Sequence, residues 1–159
     1  QAAIGDALAI ALLESRGFTA LKFAELHPGG RLGAQLKFVG DLMHADDAIP
    51  LTKSGTRMAH AVVEMTSKGF GCIGVLNAAG RLIGIITDGD LRRHMTGLMD
   101  KTARQVMHAQ PRTIRPDALA AEALGIMNDK KITCLFAVDD HNKPVGLIHI
   151  HDCLRAGVA

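Results

Sequence analysis

The 159-residue chain contains no tryptophan, no tyrosine and only five phenylalanines. Proteins that hold single-stranded nucleic acid need aromatic platforms for base stacking, so this composition argues against them. Neither sign of charge dominates: 18 Lys and Arg against 16 Asp and Glu leave a formal charge of +2, too little for the footprint of a duplex binder. Cysteine is scarce. The three present, Cys72, Cys134 and Cys153, are odd in number and sit in apolar surroundings, which fits reduced, buried thiols rather than disulfides or a metal knot. Long apolar runs are missing too: the longest, Ala7 to Leu13, is followed at once by Glu14, Ser15 and Arg16 and falls far short of a membrane span. Gln1-Ala2-Ala3 carries no methionine and no basic stretch, so no signal peptide is expected, a cytoplasmic setting is, and the sequence reads as a piece of something longer. With 48% hydrophobic residues it should bury a proper core, as one compact domain or two small fused ones.

What the chain does have is a repetition. Gly84-Ile85-Ile86-Thr87-Asp88-Gly89-Asp90-Leu91-Arg92-Arg93 returns about sixty residues later as Gly146-Leu147-Ile148-His149-Ile150-His151-Asp152-Cys153-Leu154-Arg155, with the glycine, the apolar pair, the aspartate and the last arginine in register. Upstream, Ala59, Ala61, Met65 and Cys72 align with Ala121, Ala123, Met127 and Cys134 at the same spacing. Two copies are too few for a solenoid, so a pseudo-two-fold pair that buries its apolar faces against itself is expected, with clefts between the halves.

Each copy reads as helix, strand, turn, strand, helix, an α/β (α+β) plan. In the first, Thr56 to Lys68 is amphipathic and Gly69 stops it; Cys72 to Leu76 and Leu82 to Thr87 are strands about the turn Asn77-Ala78-Ala79-Gly80, and Asp88 is expected to cap a helix through His94. In the second, Pro116-Asp117 should open a helix reaching Met127, followed by strands Cys134 to Val138 and Pro144 to His149 and a helix from Ile150. A strand that ends at Thr87 and turns into a helix offers free N–H groups and a carboxylate at one rim, which suits phosphate plus ribose. On the residues alone, Thr87 and Asp88 merely capping a helix while Asp90 pairs with Arg93 is an equally open reading. Arg92, Arg93 and Arg155 are either anion-neutralising or simply a solvated face.

Asp41-Leu42-Met43 and Gln105-Val106-Met107, which open the copies, together with the Gly, apolar, apolar, Thr or His, x, x, Asp signature that ends them, resemble a tandem pair of CBS (cystathionine-beta-synthase-type) domains. The resemblance implies a regulatory module with a nucleotide in a cleft between repeats, the signature aspartates (Asp90, Asp152) on ribose hydroxyls and Thr87 near phosphate. The second copy departs, with His149 in place of the hydroxyl. His149 is therefore expected to hydrogen-bond an anion there, more strongly when protonated, and replacement of Asp90 or Asp152 to weaken binding without unfolding. His149 and His151, two apart on an extended segment, should point to opposite faces, and no metal site is expected. His44, His60, His94, His108 and His141 receive no role. Cys72 and Cys134 should be buried and slow to react, Cys153 faster.

The first forty residues lie outside the repeat. Gly5 to Ser15 and Thr19 to Leu26 read as helices, and His27-Pro28-Gly29-Gly30-Arg31-Leu32-Gly33 as a rigid turn-rich loop, by itself either a linker or an active-site loop. Gly5-Asp6-Ala7-Leu8-Ala9, Arg16-Gly17-Phe18, Phe23-Ala24, His27-Pro28-Gly29-Gly30, Val39-Gly40-Asp41-Leu42-Met43, Thr87-Asp88-Gly89-Asp90 and Leu154-Arg155-Ala156-Gly157-Val158 resemble the bacterial D-arabinose 5-phosphate isomerases. Those enzymes place a sugar-isomerase (SIS) domain before a CBS pair on the route to Kdo and lipopolysaccharide. The resemblance implies that residues 1–38 end a SIS domain, that 39–100 and 101–159 are the two CBS domains, and that His27 is a catalytic candidate, able to move a proton between two carbons of an enediol. It also implies that this piece alone is inactive, that no cofactor is required, and that CMP-Kdo, or else an adenine nucleotide, is the regulatory ligand, bound by Thr87, Asp90, Arg92, Arg93, His149, His151, Asp152 and Arg155. The partners expected are a small nucleotide and further copies of the chain (CBS pairs dimerising, a tetramer in the whole enzyme), with no nucleic acid and no membrane. A structural oligomerisation module that binds nothing is the alternative.

Overall fold

The computed structural model describes residues 33–34 and 36–158. His27 and the helices expected before it lie outside the described residues. The first copy builds a four-stranded sheet in the order β1-β2-β3-β4 from Leu51–Lys53 (β1), Cys72–Leu76 (β2), Leu82–Thr87 (β3) and His108–Ala109 (β4). β1 runs parallel to β2, while β2, β3 and β4 are antiparallel neighbours. The second builds a three-stranded sheet from Thr113–Ile114 (β5), Cys134–Val138 (β6) and Pro144–His149 (β7), parallel then antiparallel. Its fourth position is taken by His44, which exchanges both backbone hydrogen bonds with Leu147, at 2.8 and 2.9 Å. The two sheets therefore repeat each other, as the duplicated sequence requires.

Six helices lie wholly within the described residues, beside short 3-10 turns: Val39–Leu42 (α1), Met58–Lys68 (α2), Asp88–Arg93 (α3), Ala103–Val106 (α4), Ala120–Lys130 (α5) and Ile150–Arg155 (α6). α2 buries Met58, Ala61 and Met65 at helical spacing and ends at Gly69, whose φ of 74° is the left-handed conformation glycine tolerates best. Pro116 and Asp117 do not open α5; they form a turn whose Pro116 and Ala118 carbonyls accept from the Gly40 and Val39 N–H groups, both at 2.8 Å. The cap of α3 is Thr87 rather than Asp88.

The helices that open the copies are exchanged. α1 packs into the core of the second half through Val39, among Ala120, Met127, Leu135 and Ile148, whereas α4 packs into the first through Ala103 and Val106, beside Met58, Ile73 and Ile86. The signature glycines follow from this crossing. A Cβ on Gly84 would collide with Met107 Sδ and lie 2.9 Å from the His108 carbonyl; one on Gly146 would collide with Met43 Sδ. Only a bare backbone lets the edge segment lie across the strand. A third cluster joins the halves, with Ile49, Cys72 and Leu82 from one and Cys134, Phe136, Val138 and Leu147 from the other. Asn142, in the second hairpin turn, ties the same seam by exchanging two hydrogen bonds with Leu82, at 2.8 and 2.9 Å. Among the described residues no helix is long and apolar enough to cross a membrane.

Candidate functional site

The seam leaves a cleft of about 530 Å³ between the halves, within the size range of small-molecule sites. One wall is the end of β3 and the first turn of α3, with Thr87, Asp88, Gly89 and Arg92; the other comes from the second copy, with Lys131, Ile132, Thr133 and Cys134, closed by His108, Pro111 and Arg112. Three permanent cations (Arg92, Arg112 and Lys131) thus face one carboxylate, Asp88. Apolar Ile85 and Ile132 offer a surface for a flat ring, and the cations suit an anion beside it.

Asp90 is not in the lining. Its side chain is 1% exposed; it accepts from the Thr87 N–H at 2.8 Å, the Thr87 hydroxyl at 2.7 Å and Arg93 Nη2 at 2.6 Å, and His108 Nε2 stands 2.8 Å away as an ion contact. Thr87 and Asp90 so form a capping box at the start of α3. Burial by itself would raise the Asp90 carboxyl's pKa, but the hydrogen bonds from Thr87 and Arg93, helped by His108, outweigh it and hold the group below the usual carboxylate range. Of the reading in which Thr87 and Asp88 cap the helix and Asp90 pairs with Arg93, the Thr87 cap and the Arg93 pair are present, but Asp88 takes no part in the cap and the Asp90 carboxylate is buried. A ribose at Asp90 would have to displace Arg93 or His108.

The second copy repeats the cluster. Asp152 accepts from the His149 N–H at 3.0 Å, His44 Nε2 at 3.0 Å and Arg155 Nη2 at 2.9 Å. Its cleft is only about 190 Å³, below the roughly 300 Å³ at which small-molecule sites begin. Phe70 is part of its lining, 4.8 Å from the His44 ring and 6.3 Å from the His149 ring, centroid to centroid. His149 and His151 do not point to opposite faces: the strand ends at His149 and the helix starts at Ile150, so the two rings lie 4.9 Å apart and line the same cleft. His149 Nδ1 accepts from the His151 N–H at 3.3 Å, taking the place of a hydroxyl cap. Burial, and then the neighbouring His151, lowers the His149 pKa against the pull of Asp152. The neutral ring is therefore the favoured form, which opposes the expected imidazolium contact to an anion. Among the described residues no group of three or more His, Cys, Asp or Glu stands where it could hold a metal ion.

Sequence reasoning passed over four residues here. His44 and His108 hold equivalent places beside the two aspartates, and the repeated Met43-His44-Ala45 and Met107-His108-Ala109 was the signal that could have found them. Arg112 and Lys131 enter from the other copy and carried no local signal. Lys131 caps α5 at φ 54°, in the left-handed region, where the equivalent residue of the first copy is Gly69. Holding a side chain there costs about 1 kcal/mol, and it places an ammonium on the rim of the larger cleft.

A family model described as CBS domain matches residues 39–97 and 103–159. The chain is 52% identical over 159 residues to the arabinose 5-phosphate isomerase KdsD of Pseudomonas aeruginosa, a match that covers 98% of this chain and 49% of that protein. It spans about half the length of the curated relatives it matches. Among solved structures, the CBS domain pair of a protein in complex with 5′-methylthioadenosine and S-adenosyl-L-methionine superposes with a TM-score of 0.68 at 21% identity, covering 76% of this chain and 94% of that one. CBSX2 in complex with AMP superposes with a TM-score of 0.66 at 21% identity, covering 76% of this chain and 96% of that one.

Proposed function

The chain belongs to the CBS domain family, and from that premise we propose that it is the nucleotide-sensing regulatory module of an arabinose 5-phosphate isomerase. The observation that carries the proposal is the 530 Å³ cleft between the halves, where Arg92, Arg112 and Lys131 converge on a helix start. A nucleotide would lay its base against Ile85 and Ile132, direct its phosphate to the Thr87 end of α3 and to the cations, and offer its ribose hydroxyls to Asp88, the carboxylate that lines the cleft. CMP-Kdo and adenine nucleotides both have this chemistry; the former is the pathway's own activated sugar, and adenosyl ligands are those with which the solved neighbours are described. On this reading one cleft binds, and His149, His151, Asp152 and Arg155 mostly support the fold around the smaller one. Residues 39–100 and 101–159 are then the two CBS domains, residues 1–38 the end of a SIS domain with His27 as its catalytic candidate, and isomerisation belongs to a longer protein that works as an oligomer in the cytoplasm. The rival reading, an oligomerisation module that binds nothing, draws support from the two signature aspartates, whose hydrogen bonds are made within the chain.

A thermal melt of the chain with CMP-Kdo, CMP, AMP, ATP and S-adenosylmethionine separates the two. A ligand held at a hundred times its Kd stabilises by about 2.7 kcal/mol, readily seen as a raised Tm, whereas no shift with any of the five leaves the oligomerisation module standing. Lys131→Gly sharpens the result because its two effects have opposite signs. Glycine relieves the left-handed backbone, so stability should hold or rise by up to about 1 kcal/mol, while affinity for the stabilising nucleotide falls about tenfold as a charge-assisted contact is lost. Calorimetry showing unchanged affinity would remove Lys131 from the site.

A further inference from the structure

Two thiols meet where the halves join. Cys72 begins β2 and Cys134 begins β6, and their Sγ atoms lie 3.1 Å apart across the seam. Both are buried, at 1% and 6% exposure, yet both form part of the lining of the larger cleft. Each is paired across its own sheet with the residue that caps the following helix, Cys72 with Thr87 and Cys134 with His149. Nothing in nucleotide binding uses the sulfurs. A disulfide has an S–S length of about 2.0 Å, so a relative approach of about 1 Å would close one.

We propose that Cys72 and Cys134 form a redox-active dithiol at the floor of the main cleft, which exchanges with small-molecule disulfides to give a covalent link between the two halves. The two sulfurs share one hydrogen bond that either can donate; this contact, with Thr133 adding to it, lowers the Cys134 pKa against the effect of burial, while the same contact and burial raise that of Cys72. Cys134, the more exposed of the two residues at 6% against 1%, is the attacking thiolate. It attacks one sulfur of a disulfide RSSR, the S–S bond breaks, and RS⁻ leaves and takes up a proton, with Cys134 now in a mixed disulfide. Cys72 then loses its proton, attacks the Cys134 sulfur and expels the second RS⁻, which that proton neutralises. In sum, two thiols and RSSR give one intrachain disulfide and two RSH, and two electrons pass from the protein to RSSR. Cys153 is an internal control. Contrary to its expected faster reaction, it is 0% exposed in the second core, its sulfur 3.8 Å from the Ala120 carbonyl and its pKa raised by burial.

The test is to incubate the chain with excess oxidised glutathione, folded and in urea, then alkylate in denaturant and map the peptides. In the folded protein we expect an intact mass lower by two hydrogens, a linked Cys72–Cys134 peptide pair, full alkylation at Cys153, and recovery of all three thiols with dithiothreitol. The link should form about tenfold or more faster folded than in urea, because the fold holds the sulfurs together. Cys72→Ser should stop at a mixed disulfide on Cys134. Three alkylatable thiols after prolonged exposure, a glutathione adduct that persists on Cys134 in the unsubstituted chain, or faster linking in urea would each overturn the proposal.

Discussion

Asp90→Ala is expected to destabilise the free protein by about 3 kcal/mol, seen as a lower urea midpoint and a Tm lower by roughly 10 °C. The carboxylate is buried and takes three hydrogen bonds, two of them from Thr87 at the start of α3, with His108 as a further ion contact. Arg93 and His108 are 61% and 65% exposed and can return to water when their partner is removed, so they add little to the cost. The Thr87 N–H and hydroxyl lose their acceptor, and α3 loses its cap. This reverses the expectation that the aspartate can be removed without touching stability. The pH dependence follows from the same contacts: a carboxyl held below its ordinary pKa contributes stability that is complete above that ordinary value, near 3.8, and is lost as pH falls through the lowered folded value. Asp90→Asn keeps an acceptor for Thr87 but cannot titrate, so its stability should fall less steeply below about pH 4. An Asp90→Ala protein with the parent's urea midpoint would show that the capping box contributes nothing.

Phe136→Ala is expected to cost more, about 4 kcal/mol. Among the described residues Phe136 is the largest fully buried side chain, and it lies in the cluster joining the halves, with Ile49 and Leu82 from one half and Val138 and Leu147 from its own. The neighbouring Gly74 leaves room for it: a Cβ there would come within 2.9 Å of the ring's far carbon. Truncation leaves a dry void at the seam, because the walls belong to two sheets that cannot both collapse into it. Equilibrium unfolding in urea measures the loss. A cost below about 1 kcal/mol would mean that the halves re-pack freely and that the seam is softer than its burial implies.

Much of this architecture was legible in the residues. The four long strands and α2 were readable because period, turn residues and Gly69 agree on their limits, and the duplication gave each element a second witness. β1, β4 and β5, of two or three residues, are too short for any alternation to show. Pro116 misled for a different reason. It has the chemistry of a helix's first turn, but its carbonyl is engaged by Gly40 from the far end of the chain, which no local pattern reveals. At the site, Thr87 and Arg92 were visible in the motif and do line the cleft. The recurrence of an aspartate in both copies marks a position that, in each half, sits in a hydrogen-bonded ion cluster at a helix start. Arg112 and Lys131 reach the cleft only because the second copy folds against the first, so folding alone reveals them.

The exchange of α1 and α4 bears on how such a chain could arise. A protein with a single copy would carry an opening arm with no core of its own to enter, since each arm completes the other half. Two such proteins would have to trade arms to be whole, which is a swapped homodimer. Two copies in one chain make that bimolecular trade an internal one, free from dilution. They also leave the two sides of the seam free to diverge. A phenylalanine stands at position 70 in the lining of the smaller cleft, and a lysine at position 131 in that of the larger. The asymmetry of the present molecule is something a true dimer of identical chains could never have acquired.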